Sequence, residues 1–451
     1  MGRHRTGAGW AALAVMTAVL VTALPTGEAG AQSPPAPGAE DRQAERDRLF
    51  QAILKDPSNL DLLYAYAQVT IALGDYDAAI ASYERMLIFN PNLPRIHLEV
   101  GVLYFRAGSP QVARYHLELA KADATATPEV VARVDEYLAQ IDSSGGRHQF
   151  DGSVFGGLRY QSNANAGPPS GTRVQLGGLP GFADLDEGTA QSDYIAVISG
   201  TVNRLYDFGN QTYDGWDSNL FFYGAAFAEQ ENLNLATTEL RTGPKFNHAL
   251  TRDLSLKPYA SVSWVGLDDA TYYWSYGGGL NLEYAIAPGL TTTLDGQYRR
   301  REFNAAYEDR EGAQYVGQFN LRWILGPQDL VTLGSAVVRT TANAEWRASF
   351  EAGGSLAYTH LFTDLREFLG APLAATVYGG GRYTGYDGPD PFIQPDTTRV
   401  DRELRGGASL VLALETNISL VASAEYRDVE SSVDFYSFDN LSVTMGLLYR
   451  F

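Results

Sequence analysis

Cysteine is absent from the 451-residue chain. Disulfide bonds are therefore excluded, and so are metal sites built on thiolate ligands. Basic residues are also in deficit, because 34 Lys and Arg stand against 53 Asp and Glu, for a formal net charge of −19. Phosphates would be repelled by a chain this acidic, so we expect no nucleic-acid partner.

Long apolar runs are missing after residue 24. The run from Trp10 to Leu24 follows Arg3 and Arg5 and precedes the small-residue site Ala29–Ala31. This order is typical of a secretory signal peptide, and about fifteen apolar residues are fewer than the roughly twenty of a membrane helix. We expect residues 1–31 to be a signal peptide and the mature chain to begin near Gln32. A retained membrane anchor is the alternative.

Arrangements of side chains that support catalysis are missing as well. A hydrolase needs a base within hydrogen-bond reach of its nucleophile, and the sequence suggests no such trio around the six histidines: His4, His97, His116, His148, His248 and His360. The glycine triplets at 277–279 and 379–381 open no helix, so they are not phosphate loops. We expect no enzyme activity, no cofactor and no metal ion.

The composition changes abruptly near residue 146. Residues 40–142 are rich in Ala, Leu, Glu and Arg with apolar residues at helical spacing, whereas from Gln149 apolar and polar residues alternate. Between them, Ser143–Gly146 reads as a flexible hinge. We therefore predict a helical domain over 32–146 and a β domain over 147–451. Without a helix-length apolar run, the chain can enter a membrane only as a closed β-barrel.

The helical part repeats every 34 residues, the period of tetratricopeptide repeats. Pro57 and Pro91 lie 34 residues apart, and Ala79 matches Ala113 at the same offset. The pattern predicts a helix at about 40–55, helical hairpins at about 60–89 and 94–121, and a last helix at about 128–142. Such stacks usually bind a peptide or protein on a concave face, for which we predict four contact residues: Tyr64, Gln68, Arg95 and Leu98. The alternative is a structural collar that binds nothing and plugs or braces the barrel.

Alternation of about ten residues per strand dominates the β part. In the last strand Leu441, Val443, Met445, Leu447, Tyr449 and Phe451 fall on one face, and Ser442, Thr444, Gly446 and Arg450 on the other. We count fourteen strands at about 149–162, 193–206, 215–228, 235–248, 254–266, 272–286, 290–302, 313–325, 329–340, 349–362, 372–386, 400–414, 417–428 and 438–451.

An even number of strands returns both ends of the barrel to one side of the membrane, which must be periplasmic for an exported chain with a soluble N-terminal domain. Connections after even strands should then be short turns, and those after odd strands longer and polar. The first odd connection runs from Asn163 to Ser192. Residues 363–371 are an exception on the periplasmic side and read as a short helix. The fold class is therefore an α + β membrane protein, with an N-terminal tetratricopeptide α-solenoid followed by a 14-stranded antiparallel transmembrane β-barrel.

Charged residues fall on the inward set of the predicted strands, because a charge facing lipid at mid-bilayer costs about 2–4 kcal/mol. The candidates for lining the interior are Arg299, Arg301, Arg322, Arg382, Arg405, Arg427, Glu239, Glu283, Glu351 and Glu425. They either line an open path or form a salt-bridged interior that closes the pore. The aromatic C-terminus is typical of recognition by the barrel-assembly machinery, for which we single out Tyr449 and Phe451.

Tetratricopeptide repeats directly followed by a fourteen-strand barrel resemble the surface lipoprotein assembly modifier family. The segment Gly156-Gly157-Leu158-Arg159-Tyr160-Gln161-Ser162-Asn163-Ala164-Asn165 is similar to the opening of that family's barrel. The resemblance implies an outer-membrane translocator that delivers surface lipoproteins or secreted proteins, with the bilayer, a periplasmic client and possibly its carrier as partners. The short helical domain departs from the family and implies weaker or different client recognition.

Two other functions fit the same architecture. An exporter of a polysaccharide also pairs helical repeats with a barrel, and it would need aromatic and acidic residues stacked along an open lumen. A diffusion porin for small solutes would show steady ion conductance that does not depend on residues 32–146.

Overall fold

The computed structural model describes residues 39–451 except residues 108, 144–146, 176–182, 185–188, 211, 213, 248–250 and 252. The predicted signal peptide (1–31), His4, His248 and Ser144–Gly146 of the predicted hinge lie outside the described residues. The chain divides into two compact units, one helical and one a β-barrel. Each unit is described by itself.

Six helices form the helical unit, as the 34-residue period predicts: α1 Ala39–Lys55, α2 Leu60–Ala72, α3 Tyr76–Phe89, α4 Pro94–Arg106, α5 Pro110–Ala122 and α6 Pro128–Ser143. Polar caps begin two of them: Asn59 accepts from the Leu62 amide, and Asp75 accepts from the Ala78 amide. Proline begins α4, α5 and α6, where the missing N–H costs no helical hydrogen bond.

Small residues let the helices of each repeat approach closely. Ala67 and Ala79 are fully buried between α2 and α3. A Cβ on Gly101 would lie 2.8 Å from Cγ of Leu117, so α4 and α5 can pack at this distance only with glycine there. Large side chains, such as Leu63 and Tyr83, fill the remaining space. The repeat period therefore fixes packing as well as helix length.

Fourteen antiparallel strands close the barrel: β1 His148–Gln161, β2 Asp193–Asp207, β3 Gly215–Phe227, β4 Leu235–Asn247, β5 Leu254–Leu267, β6 Ala270–Ala287, β7 Leu290–Phe303, β8 Gly312–Ile324, β9 Asp329–Thr340, β10 Ser349–Phe362, β11 Leu373–Pro389, β12 Thr398–Ala413, β13 Ile418–Ser431 and β14 Phe438–Arg450. Each strand pairs with its neighbours in the chain, and β1 pairs with β14. The predicted strand number is confirmed. A two-stranded ladder, Arg173–Val174 with Ala183–Asp184, decorates the first loop.

Alternation assigns the two faces of the wall. On β7, Leu294 and Tyr298 are exposed, whereas Asp295 and Gln297 between them are buried. The exposed set is apolar or aromatic on most strands, as expected of a surface that contacts lipid. Among the described residues, no helix is long and apolar enough to cross a membrane.

The connections differ between the two ends of the barrel. At the end where β1 begins and β14 ends, here called the termini end, the turns after β6, β8 and β12 are short: 288–289, 325–328 and 414–417. The longer connection between β10 and β11 at this end contains α7, Arg366–Leu369, which confirms the short helix expected within 363–371. The opposite end, here called the distal end, carries the loop of residues 162–192.

One distal connection is shorter than predicted. Asp268 and Asp269 alone join β5 to β6, with φ of 51° and 56°. Two residues with positive φ form the tight turn that matches the twist of a hairpin. Aspartate tolerates this left-handed backbone better than most residues do. The two aspartates therefore form a tight turn where we expected a longer loop.

The pairing of β1 with β14, here called the seam, joins the two ends of the barrel sequence. Its register runs from Ser153↔Arg450 to Gln161↔Ser442. Gly152 and Phe451 extend it through two backbone hydrogen bonds of 3.0 and 3.1 Å. At its centre, a Cβ on Gly446 would lie 2.3 Å from the carbonyl oxygen of Gly156, so this close approach requires glycine.

Asn163 clamps the distal end of the seam. Its amide nitrogen donates to the carbonyls of Gly167 (2.8 Å) and Asp439 (3.1 Å), and its amide oxygen accepts from the Gly167 N–H (2.9 Å). The backbone N–H of Asn163 donates to the side chain of Asn440 at 3.0 Å. One buried side chain thus holds both the start of the first loop and the last strand.

We predict that Asn163→Ala destabilises the barrel by about 1–3 kcal/mol, because it leaves buried backbone groups without partners. The temperature at which the compact band is replaced by the unfolded band on gel electrophoresis should fall. Asn343→Ala is the matched control, since Asn343 is exposed and makes one hydrogen bond, to the Glu308 carbonyl. Equal behaviour of the two variants would contradict the clamp.

Candidate functional site

Three helices bring polar and aromatic side chains together on the helical unit. Tyr64 and Gln68 lie one turn apart on α2, Tyr83 lies on α3, and Arg95 and Glu99 lie one turn apart on α4. The Gln68 amide donates to the Tyr83 hydroxyl at 2.6 Å. The rings of Tyr64 and Tyr83 lie 5.8 Å apart at 44°. We call these five residues the groove cluster.

Burial sets the chemistry of the groove cluster. Tyr83 is fully buried, and this desolvation raises the pKa of its hydroxyl, so the ring stays neutral. Gln68 and Arg95 are exposed, and Tyr64 is half-buried. The cluster therefore offers a guanidinium, an amide and an aromatic face to solvent from a rigid base. Glu99 was not among the predicted contact residues, although its spacing of four residues from Arg95 places it on the same face.

The structure contradicts the prediction for Leu98. This side chain is only 2% exposed and packs in a core cluster with Val102, Leu117 and Val134. Leu98 is the repeat equivalent of Tyr64, 34 residues later, but in the second repeat helix α6 packs over the position. Tyr64, Gln68 and Arg95 remain as predicted contact residues.

A buried histidine pair replaces an ordinary contact in the second repeat. In the first repeat the Ser82 hydroxyl donates to the Leu63 carbonyl at 2.9 Å. At the positions 34 residues later stand His116 and His97, whose Nδ1 atoms lie 3.2 Å apart. His97 Nε2 lies 3.1 Å from the Pro91 carbonyl, which can only accept. His97 therefore carries its proton on Nε2, and its Nδ1 accepts from His116 Nδ1–H.

Burial disfavours the charged form of both rings. Desolvation lowers the pKa of His116 to about 4 and also lowers the pKa of His97. The ring of Tyr104 stacks on His116 at 5.8 Å. The pair is thus a neutral part of the helical core at neutral pH.

Inside the barrel, an ion-pair network connects strands β10 to β13. Arg382 reaches Glu351 at 3.3 Å and Glu403 at 2.6 Å, and Arg427 reaches the same oxygen of Glu403 at 2.8 Å. Three of these residues were predicted to line the interior, whereas Glu403 was missed. It sits on the inward face of β12 directly opposite Arg382 in the strand register.

The other predicted lining residues have varied partners. Arg299 donates to Gln314 at 2.7 Å, Glu425 accepts from Tyr378 at 2.9 Å, and Glu239 pairs with Arg241 at 2.8 Å. Arg301 is buried and donates weakly to the carbonyls of Arg310 and Thr341. Arg405 lies on β12, and Arg322 and Glu283 make no ion pair within the part of the chain that the structure describes.

Loops at the distal end also interlock. The Tyr436 hydroxyl donates to Asp390 at 2.8 Å, and the Arg399 guanidinium lies 3.7 Å from the centre of the Tyr436 ring. Arg347 donates to Asp309 at 2.8 Å, which joins two further loops. These charge and cation–π contacts join four distal loops in two pairs. Within the described ranges no group of three or more acidic or histidine side chains is placed to hold a metal ion.

At the termini end, the predicted assembly signal forms part of the seam. Tyr449 and Phe451 are exposed on the outer face, and their rings stack at 6.0 Å and 27°. Recognition by the assembly machinery stays a prediction, because these contacts describe the finished barrel.

Comparison with known proteins gives two family matches. The family model described as surface lipoprotein assembly modifier matches residues 159–451, and a tetratricopeptide (TPR) repeat model matches residues 67–108. The first match spans well over half of the chain and nearly the whole barrel. No curated protein matches the chain significantly.

Some solved structures resemble a part of the chain. The Yersinia enterocolitica type III secretion chaperone SycD, in complex with a peptide of the translocator YopD, is 20% identical, with 24% of this chain and 83% of that chain covered and a TM-score of 0.22. PcrH in complex with the chaperone binding region of PopD is 19% identical, covers 23% and 79%, and has a TM-score of 0.21. MamA is 18% identical, covers 25% and 67%, and has a TM-score of 0.21.

Acid should loosen the helical unit through the histidine pair. Because the folded pKa of His116 (about 4) lies below its ordinary value of 6.5, the unfolded chain binds more protons between these pH values. The contribution of His116 to the free energy of unfolding is fully present above pH 6.5. It is lost as the pH falls toward 4, and the loss is at most about 3 kcal/mol. Thermal melts of helical ellipticity on the full chain in detergent would measure the loss.

A double variant provides the control for the acid effect. His97→Leu with His116→Ser installs the residues of the first repeat, Leu63 and Ser82, at equivalent positions. Its melting temperature should change less between pH 7 and pH 4.5 than that of the wild type. An unchanged pH dependence in the double variant would show that other groups cause the acid loss.

Removing Glu403 should weaken the barrel. Glu403→Ala leaves Arg427 without its carboxylate in a site where the Glu403 side chain is only 8% exposed, and we expect a loss of about 3 kcal/mol. The gel-shift temperature of the folded barrel would report it. Glu283→Ala removes an exposed inward carboxylate and should behave as wild type. A stable Glu403→Ala barrel would mean that the network adds no net stability.

Proposed function

The chain belongs to the surface lipoprotein assembly modifier family, and we propose that it captures client lipoproteins or secreted proteins in the periplasm and passes them outward. Family membership and the closed barrel indicate that the protein lies in the outer membrane. The family also gives it a role in the surface assembly of lipoproteins. Capture by the helical unit and passage through the barrel are the further steps that we propose.

Strand parity supports the proposed orientation. Fourteen strands bring the beginning of β1 and the end of β14 to one end of the barrel. The helical domain precedes β1 in the chain, and it is too polar to remain in the bilayer. With an exported chain, this end faces the periplasm and the interlocked distal loops face outward. Residues 1–31 would direct export and be removed before Gln32.

The groove cluster is the observation that best supports client capture. A flexible peptide presents backbone carbonyls and N–H groups that the exposed Arg95 and Gln68 can bind. The contact between Gln68 and Tyr83 and the packing of Tyr64 on Tyr83 hold these groups in place before a client arrives. A rigid site loses little conformational entropy on binding. The sequence shows no nucleotide-binding motif. We therefore propose that client folding outside the cell, or transfer from a carrier, drives passage in one direction.

Protease shaving of intact cells tests client delivery. In a deletion strain, one or a few proteins should vanish from the surface while persisting inside the cell. Complementation with Arg95→Glu should restore about a tenth of the wild-type display or less, since charge reversal opposes any contact with client acceptor groups. An unchanged surface proteome in the deletion strain would refute protein delivery and direct attention to glycans or small solutes.

The charge control lies in the same domain. Arg85 is exposed on α3, outside the groove cluster, and makes no ion pair in the described part of the chain. Arg85→Glu makes the same charge change, so it should restore full display. Equal loss in both variants would attribute the effect to domain charge instead of the groove.

A further inference from the structure

An exposed apolar face remains on the longest turn at the termini end. Residues 363–372 join β10 to β11 and contain α7 with its N-cap residue Leu365. Leu365, Phe368 and Leu369 lie at spacings of three and four residues. These positions share one helical face. Phe368 is 87% exposed, the largest exposed fraction among the large apolar side chains of the described residues. Even Leu404 on the outer wall is less exposed, at 68%.

The turn emerges directly from the lipid-facing wall. Phe362 ends β10 and pairs with Leu373, which begins β11, and Leu373 pairs with Leu412 of β12. Strand alternation places all three on the outer face with Leu356 and Val377. On β10 the outward His360 lies between Leu356 and Phe362. Along β11 and β12, however, no outward polar residue separates Leu373 and Leu412 from the lipid-facing wall. The apolar face of α7 is therefore continuous with the surface that contacts lipid.

A polar group on the same wall marks the depth of the membrane boundary. His360 Nδ1 lies 2.7 Å from Asp329, and the Tyr358 hydroxyl donates to the same carboxylate oxygen at 2.5 Å. These side chains share the outer face, and the His360 ring contacts that of Phe362 at 4.5 Å. A histidine–aspartate pair facing hydrocarbon would be costly, so this level of the wall lies among lipid headgroups. The turn begins only three residues further along β10.

From this continuity we infer that the turn of residues 363–372 is an interfacial anchor, whose α7 lies on the bilayer surface and inserts Phe368 among the lipid headgroups and upper acyl chains. A short amphipathic element at this depth gains free energy by burying its apolar face. The αL conformation of Gly370, with φ of 73°, ends the helix and turns the chain back into β11. The anchor would fix the depth of the β10–β11 hairpin independently of any cargo.

The absence of cysteine makes a direct test possible. Phe368→Cys would be labelled with an environment-sensitive fluorophore in the full chain and reconstituted in phospholipid vesicles containing lipid with a nitroxide at acyl carbon 5 or 12. Leu404→Cys on the outer wall and Ile88→Cys, 79% exposed on α3, are the lipid and water controls. Compact-band gel shift confirms that each barrel is folded.

Quenching by the carbon-5 nitroxide at position 368 should be at least about twofold stronger than at position 88 and stronger than by the carbon-12 nitroxide. Quenching equal to that at position 88 would refute the anchor and leave the apolar face to a protein partner. A label at Leu369→Cys supplies a second readout that keeps Phe368, and adding Phe368→Asp should roughly halve its quenching. Quenching at position 369 that ignores this change would also refute the anchor. Neither readout depends on client delivery.

Discussion

The requirement that every backbone N–H and C=O within a bilayer be paired determines most of this structure. Hydrocarbon offers no hydrogen-bond partners, so a chain of short alternating strands can be stable there only if its first and last strands meet. The seam between β1 and β14 satisfies this requirement. Its glycines allow close approach, Phe451 completes the ladder at one end, and Asn163 joins loop to strand at the other. The barrel can close because all of these features stabilise the same register between β1 and β14.

Closure in turn decides where charges can lie. The wall has two faces, and one of them contacts lipid, so inward positions receive the arginines and carboxylates. A charge that is buried inside needs compensation, and strand pairing supplies it for Arg382 by setting Glu403 opposite. The helical unit obeys a different constraint, since its repeat period brings small residues to helix contacts and leaves one face for the groove cluster.

Local patterns predicted the elements well. Alternation located all fourteen strands within a few residues, and the 34-residue period located the helices, because such signals depend on neighbours in the chain. The failures concern partners far apart in sequence. Leu98 was misassigned because the position of α6 over it does not show in the repeat pattern. Glu403 and the Asn163 clamp were missed because both depend on a register between strands that only the folded barrel reveals.

The contact between Asn163 and Asn440 restricts the order in which the strands of the barrel can pair. Asn163 and Asn440 are 277 residues apart, so β1 can pair with β14, its second neighbour, only when almost the entire barrel sequence is present. Until then β1 presents an unpaired edge that any other strand can join. A chain cut short before residue 438 would keep that edge open, whatever the quality of its remaining strands. The final strand therefore ensures that only a full-length chain can form a barrel in which β1 has no unpaired edge.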